Sequence, residues 1–232
     1  MIAGAGPLSE RVMIRLGRGF VGLLVRLFTK MKITGMENIP PGGNILFLSN
    51  HISALDVLVI PWAIYLKYPE ELLRQAGKEE LFDIPVVGWI LSKWRGFPIK
   101  RGGADRKSIR MIEEYIKEGK VILYPEGTRS RDGRLMRGNR MVGRIVRNTT
   151  PTVVPVSIKG TDRVIPVGKT IPRPGTRVEL RFGAPMDLSD EFAIANTKEA
   201  SQKIIDRVMT AIGELQNGRI PETLEKKGVP GE

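Results

Sequence analysis

Short apolar runs alternate along this chain with stretches of helical period, and that alternation limits the possible fold more than any other feature. Asn44–Ser49 (NILFLS), Val121–Tyr124 (VILY) and Thr152–Ile158 (TVVPVSI) are apolar enough, and short enough, to read as buried strands. Leu72–Ala76, Gly96–Ile99 and the alternating Thr176–Phe182 are further strand segments. Helices are expected between them. The first runs from a Ser53 cap to about Leu66 with a kink at Pro61, and the next spans Pro85–Lys93. A third runs from an Asp105 cap through Ile109, Ile112 and Ile116 to Gly119, a basic helix covers about 138–148, and an Asn196–Glu199 capping box opens the last, to about Gln216. Strands joined through helices cannot close as hairpins. The expected fold is therefore α/β, a single domain with a mostly parallel central sheet flanked by helices and preceded by an N-terminal amphipathic helix. Pro155 lacks the amide a ladder needs, so its strand is expected at an edge or a bulge. No linker or repeat divides the chain, which reads as a helical segment over 1–33, one domain over 34–216 and a polar tail over 217–232.

Charge is concentrated in two places. The 232 residues carry 37 Lys+Arg against 25 Asp+Glu. Residues 1–33 hold six basic groups and one acid, residues 95–147 hold fifteen and six, and the remainder is slightly acidic. Such an excess predicts a polyanionic partner: nucleic acid, an anionic membrane face or a phosphorylated small molecule. No Phe, Tyr or Trp lies between Arg129 and Arg147, which weighs against nucleic acid, because readers of single strands interleave cations with stacking rings. In the N-terminal segment, Arg11, Arg15, Arg18 and Arg26 fall on a sector of about 80° at helical period. Met13, Leu16, Phe20, Leu23, Leu24, Leu27 and Phe28 spread over the other side. The pattern predicts a helix lying in a lipid interface with its guanidinium groups toward headgroup phosphates; packing against the domain core is the alternative. Arginines interrupt the apolar run before it is long enough to span a bilayer, and no basic region precedes Arg11 as a secretory signal would have.

The absence of cysteine and the single histidine remove thiolate catalysis, disulfides and multi-His metal centres. There is no G-x-S-x-G elbow, and Gly168-Lys169-Thr170 fails as a Walker A end because Arg163 stands where the first glycine is required. His51 is then the one candidate general base near neutral pH. Asp56 lies five residues on and can meet it only if His51 sits in the turn before the helix, where the carboxylate would fix the imidazole tautomer. A purely structural Asp56, serving the start of the helix, is the alternative. Two more segments, Gly96–Arg101 and Tyr124–Arg129, also place cations after short strands. The carboxyl ends of strands are where open α/β sheets bind ligands, and arginine grips phosphate bidentately.

In order along the chain, Asn50-His51-Ile-Ser-Ala-Leu-Asp56, Gly96-Phe-Pro-Ile-Lys-Arg101, Tyr124-Pro-Glu-Gly-Thr-Arg129 and Val153-Val-Pro-Val156 resemble the four sequence blocks of the glycerolipid acyltransferases. The closest branch is the bacterial 1-acylglycerol-3-phosphate acyltransferases, with the likeness running from about Lys32 to Phe182. Tyr124 replaces the more usual phenylalanine of the third block. The resemblance implies direct acyl transfer from acyl-CoA or acyl carrier protein to the sn-2 hydroxyl of lysophosphatidic acid, with no cofactor or metal. It implies His51 as base and Asp56 as its orienting partner. Asn50, Lys78, Lys100, Arg101, Glu126, Gly127, Thr128 and Arg129 become candidate substrate-binding residues, with Glu126 alternatively anchoring Arg129. Val154, Pro155 and Val156 are implied as acyl-site lining. It also implies a monotopic enzyme on the cytoplasmic face of the cell membrane, using an anionic membrane surface and no nucleic acid. Another lysolipid acceptor, an ornithine lipid or a phosphatidylinositol mannoside, is the alternative within this class; a non-enzymatic basic module is the alternative outside it.

Overall fold

The computed structural model describes residues 8–99, 106–166, 171–195 and 197–216. In chain order the elements are α1 (Leu8–Phe28), β1 (Thr29–Thr34), β2 (Ile45–Ser49), α2 (Asp56–Lys67), β3 (Leu73–Lys78) and α3 (Glu79–Phe82). They continue as α4 (Pro85–Lys93), β4 (Gly96–Ile99), α5 (Arg106–Glu118), β5 (Lys120–Leu123) and α6 (Arg140–Thr149). The last are β6 (Thr152–Lys159), α7 (Thr161–Val164), β7 (Thr176–Phe182), α8 (Ser189–Ala193) and α9 (Lys198–Leu215).

The seven strands among the described residues form one sheet in the order β1-β7-β6-β2-β5-β3-β4. The five from β6 to β4 are mutually parallel, β7 runs antiparallel to β6, and β1 is parallel to β7. Alternate side chains of a strand point to opposite faces. Ile45 and Phe47 of β2 therefore enter one core with α1, α2 and α4, whereas Leu46 and Leu48 enter a second with α5, α6 and α9. The parallel α/β architecture expected from the sequence is the one observed.

Three expectations are corrected. Pro155 stands in an interior strand, between β2 and β7. Its carbonyl accepts from Gly183 N–H at 2.8 Å, and the N–H and C=O of a strand residue point to the same side. Its missing donor thus falls just past the last residue of β7, where the ladder has ended. Gly183 is required there, since a Cβ would lie 2.7 Å from Pro155 Cγ. The helical segment read over 1–33 stops at Phe28, and Thr29–Thr34 becomes edge strand β1 paired with β7, so the boundary drawn at residue 33 cuts a strand. Helix α2 begins at Asp56, with Leu55 at the cap position; Ser53 Oγ accepts from Leu55 N–H instead of capping the helix. Thr197 caps α9 by accepting from Ala200 N–H. The Asp105 cap, Asn196, Gly168-Lys169-Thr170 and the tail over 217–232 lie outside the described residues.

Helix α1 runs antiparallel to α2. Arg11 and Arg15 reach Glu70 at 3.7 and 3.2 Å, Arg18 donates to the Tyr65 carbonyl at 3.1 Å, and Gly22 lies against Trp62. Ile14, Val21 and Val25 are buried in the core, and a Cβ on Gly17 would stand 2.7 Å from Trp94 Nε1. Three arginines expected to face lipid phosphate are thus directed to the fold, while Val12, Leu16, Phe20, Leu23 and Leu27 form a separate exposed ridge. The helix packs on the core and still presents a second apolar face. No helix among the described residues is long and apolar enough to cross a membrane.

Candidate active site

Strands β2 and β5 are neighbours in register, Leu48 opposite Leu123, so the turns that follow them share one edge of the sheet. In the first turn, before α2, His51 Nδ1 lies 2.8 Å from Asp56 Oδ2. The same oxygen accepts from Ile52 N–H and Ser53 N–H at 2.8 Å each, and Oδ1 accepts from the Thr161 hydroxyl at 2.6 Å. Asp56 is fully buried, and four donors converge on its carboxyl. An oxygen so committed as an acceptor requires Nδ1 to carry the imidazole proton, leaving Nε2 as the basic nitrogen. Both alternatives for Asp56 hold at once, since it serves the start of α2 and orients His51.

The second turn supports the ring from the other side. Tyr124 stacks on His51 with centroids 4.2 Å apart and planes inclined by 23°. Its hydroxyl is buried without a hydrogen-bond partner among the described residues, and burial, reinforced by the charge of Asp56, pushes its pKa well above the ordinary range. Glu126 Oε1 accepts from His51 N–H at 3.3 Å, and Ser130 N–H donates to the His51 carbonyl at 2.8 Å. Glu126 Oε2 is buried with no hydrogen-bond partner among the described residues. Burial raises the Glu126 pKa from 4.5 to about 8; the charge of Asp56 adds to this, and hydrogen bonds from the His51 and Met136 backbone oppose it. The site is therefore an oriented base with one open nitrogen, and the His51 side chain is 12% exposed. That geometry suits abstraction of a proton from a hydroxyl that then attacks an acyl carbon. No group of three or more His, Cys, Asp and Glu among the described residues could hold a metal.

A model of the family described as Acyltransferase matches residues 30–159, more than half of the chain. The chain belongs to that acyltransferase family. It is 34% identical over 147 residues to the chloroplastic 1-acyl-sn-glycerol-3-phosphate acyltransferase BAT2 of Brassica napus, covering 61% of this chain and 40% of that protein. A 1-acyl-sn-glycerol-3-phosphate acyltransferase of Borreliella burgdorferi is 29% identical over 140 residues, 57% of this chain and 52% of its own. The chain thus spans about two fifths to one half of the length of these relatives. Among solved structures it is similar to PlsC, the 1-acyl-sn-glycerophosphate acyltransferase of Thermotoga maritima, with a TM-score of 0.66 and 27% identity over 88% of this chain and 80% of that one.

Within the acyltransferase fold the remaining candidates separate. Asn50 is corrected: it is 1% exposed, and its amide both donates to the Ile158 carbonyl at 2.9 Å and accepts from Ile158 N–H at 2.8 Å. It clamps the His51 turn to β6, and its burial keeps it away from a substrate. Gly127 closes the Tyr124–Gly127 turn with a left-handed φ of 69°, and Thr128 and Arg129 follow it, exposed, at the rim. Glu126 finds its partners in the His51 and Met136 backbone rather than in Arg129. Lys78 ends β3 opposite Ile99, level with the site edge, whereas Lys100 and Arg101 lie outside the described residues. Val154 and Val156 are fully buried in the core on the α1, α2 and α4 face of the sheet, and Pro155 stands over Gly183. A small crevice on the same sheet face is lined by Val57, Pro61, Leu73, Gln75, Leu91 and Trp94. Two participants were not anticipated, Thr161 and the Tyr124 ring. The rule that directs attention to the ends of β2 and β5 applies equally to β6, where Gly160-Thr161 follows the last strand residue.

Proposed function

We propose that this acyltransferase moves an acyl group from acyl-CoA or acyl carrier protein to the sn-2 hydroxyl of 1-acylglycerol-3-phosphate, forming phosphatidic acid. One observation carries the reading: the 2.8 Å contact between His51 Nδ1 and an Asp56 carboxylate that is itself held by three further donors. In the proposed reaction Nε2 takes the sn-2 hydroxyl proton as that oxygen attacks the thioester carbonyl carbon. The tetrahedral intermediate collapses by breaking the C–S bond, and the thiolate recovers the proton from the imidazolium. No bond to the enzyme forms. Arg129 at the rim supplies a cation for the acceptor phosphate, and Lys78 stands at the same edge.

The acceptor is an amphiphile, and the proposed seat of the enzyme is the cytoplasmic surface of a membrane. The exposed α1 ridge of Val12, Leu16, Phe20, Leu23 and Leu27 supports this, because an unpartnered apolar ridge of this kind gains free energy by entering the acyl boundary.

The purified protein with lysophosphatidate and a thioester donor is expected to release phosphatidate, and His51→Ala to lower kcat by about 10³-fold or more while circular dichroism stays unchanged. Full activity in the folded variant overturns the mechanism. A panel in which ornithine lipid or phosphatidylinositol mannoside is acylated in preference to lysophosphatidate overturns the acceptor.

A further inference from the structure

Helices α5 and α6 precede parallel strands β5 and β6, so both begin at the edge of the sheet that carries His51 and run away from it. They lie side by side, tied by a 2.7 Å hydrogen bond from Asn148 to Glu113. Helix α5 is charged against its own dipole. Arg106, Lys107 and Arg110 occupy its first five residues, all exposed, and its acids, Glu113, Glu114 and Glu118, come later. Cations are disfavoured at the positive end of a helix and favoured at the other. Helix α6 opens in the same way, with exposed Arg140 and Arg144 and no acid in its first turn. Neither arrangement complements its helix dipole, and no close ion pair among the described residues engages these five side chains, Arg140 acting on Glu199 only at longer range.

The surface also differs in kind from the one that suits lipid. It lies on the face of the sheet opposite α1, and among the described residues α5, α6 and α9 expose no large hydrophobic side chain. A bilayer met by the α1 ridge leaves α5 and α6 facing water. The cations spread over the first turns of two helices, whose axes pack about 8–10 Å apart, a footprint wider than one phosphate group.

We propose that Arg106, Lys107, Arg110, Arg140 and Arg144 form the docking surface for an acidic protein that carries the acyl thioester on a flexible prosthetic arm, set so that the arm enters the site beside His51. The inference rests on the acyl-transfer reading above and deepens it by assigning the donor its own surface. Docking is electrostatic, so it governs encounter and not the chemical step.

The test compares acyl carrier protein and acyl-CoA bearing the same chain, with the full-length enzyme and the double variants R106E/R110E and R140E/R144E. Each reversal is expected to raise KM for the acylated carrier at least tenfold and to remove its dependence on salt. The kcat value, and KM for acyl-CoA, are expected to stay within twofold. R106Q/R110Q gives a milder version should a reversal disturb folding, which unchanged thermal unfolding excludes. Equal losses with both donors assign the surface to the nucleotide phosphates of CoA and overturn the proposal. No change with either donor, loss of vesicle flotation on reversal, or a wild type that ignores the carrier also overturns it. Direct binding of the holo carrier protein to His51→Ala, measured by surface plasmon resonance, separates the two readings. A wild type inert with every donor whose His51→Ala form still binds the carrier through these residues loses the acyl-transfer reading and keeps the surface.

Discussion

Two regions meet at the same edge of the sheet and handle charge in opposite ways. Around His51 the groups that set its orientation are held by hydrogen bonds: Asp56 takes four, Asn50 two, and the His51 backbone is held by Glu126 and Ser130. Along the starts of α5 and α6 the cations stand in water against the helix dipoles. The first region is already organised for one geometry, and reorganisation there would be paid in rate. The second is held open for a partner, so changes there belong in affinity and salt dependence. Substitutions that cross this division, altering KM from the knot or kcat from the rim, break the contrast.

The largest effect is expected at Asp56. Asp56→Asn keeps the size of the side chain but offers an amide, which can no longer accept from Nδ1–H, Ile52, Ser53 and Thr161 together. The imidazole then loses the tautomer that leaves Nε2 basic. A kcat lower by about 10³-fold with KM for both substrates nearly unchanged is expected from steady-state kinetics. A loss carried mainly by KM would place Asp56 in binding.

Glu126 comes next and is read through pH. Its folded pKa of about 8 is raised above the ordinary 4.5, so the native state favours the protonated carboxyl. The resulting stability is present in full below pH 4.5 and is lost as pH rises through 8, where the unfolded chain ionises freely and the buried group does not. Urea unfolding of the wild type relative to Glu126→Gln is expected to show the parent losing on the order of a few kcal/mol between pH 5 and pH 9, because the glutamine cannot ionise. A difference that stays flat across that range means that Glu126 is solvated in the native protein.

How much of this was legible in the sequence follows from the range of each interaction. The strand–helix alternation, the His51–Asp56 pair and the convergence of the β2 and β5 turns rest on local spacing, which sequence records directly. Thr161 reaches Asp56 across 105 positions, and β1 pairs with β7, a partner far along the chain. The Thr161 contact has no local signature, and the period-2 alternation of Thr29–Thr34 is a strand pattern too short to stand apart from the basic amphipathic run before it. Pro155 misled for a related reason. Its lost donor matters only on one side of the strand, and which neighbour ends there is a property of the assembled sheet. The arginines of α1 share the sector that their spacing predicts, but they meet Glu70 and the Tyr65 carbonyl, which come into range only when α1 folds back along α2.

That last point defines the smallest effect. Arg15 and Glu70 are well exposed, with side-chain exposures of 62% and 44%, and Arg11 meets Glu70 only at 3.7 Å. Exposed pairs of this kind contribute about 0–1 kcal/mol and less in salt. What holds α1 is the burial of Ile14, Val21 and Val25 and the close approach that Gly17 and Gly22 allow to Trp94 and Trp62. Glu70→Gln is therefore expected to lower Tm by at most about 4 °C, since roughly 2–4 °C corresponds to 1 kcal/mol in a chain of this size. Gly17→Leu is expected to displace α1 outright. A Glu70→Gln protein that unfolds many degrees lower would show α1 to be held by charge; its arginines would then belong with the organised knot around His51.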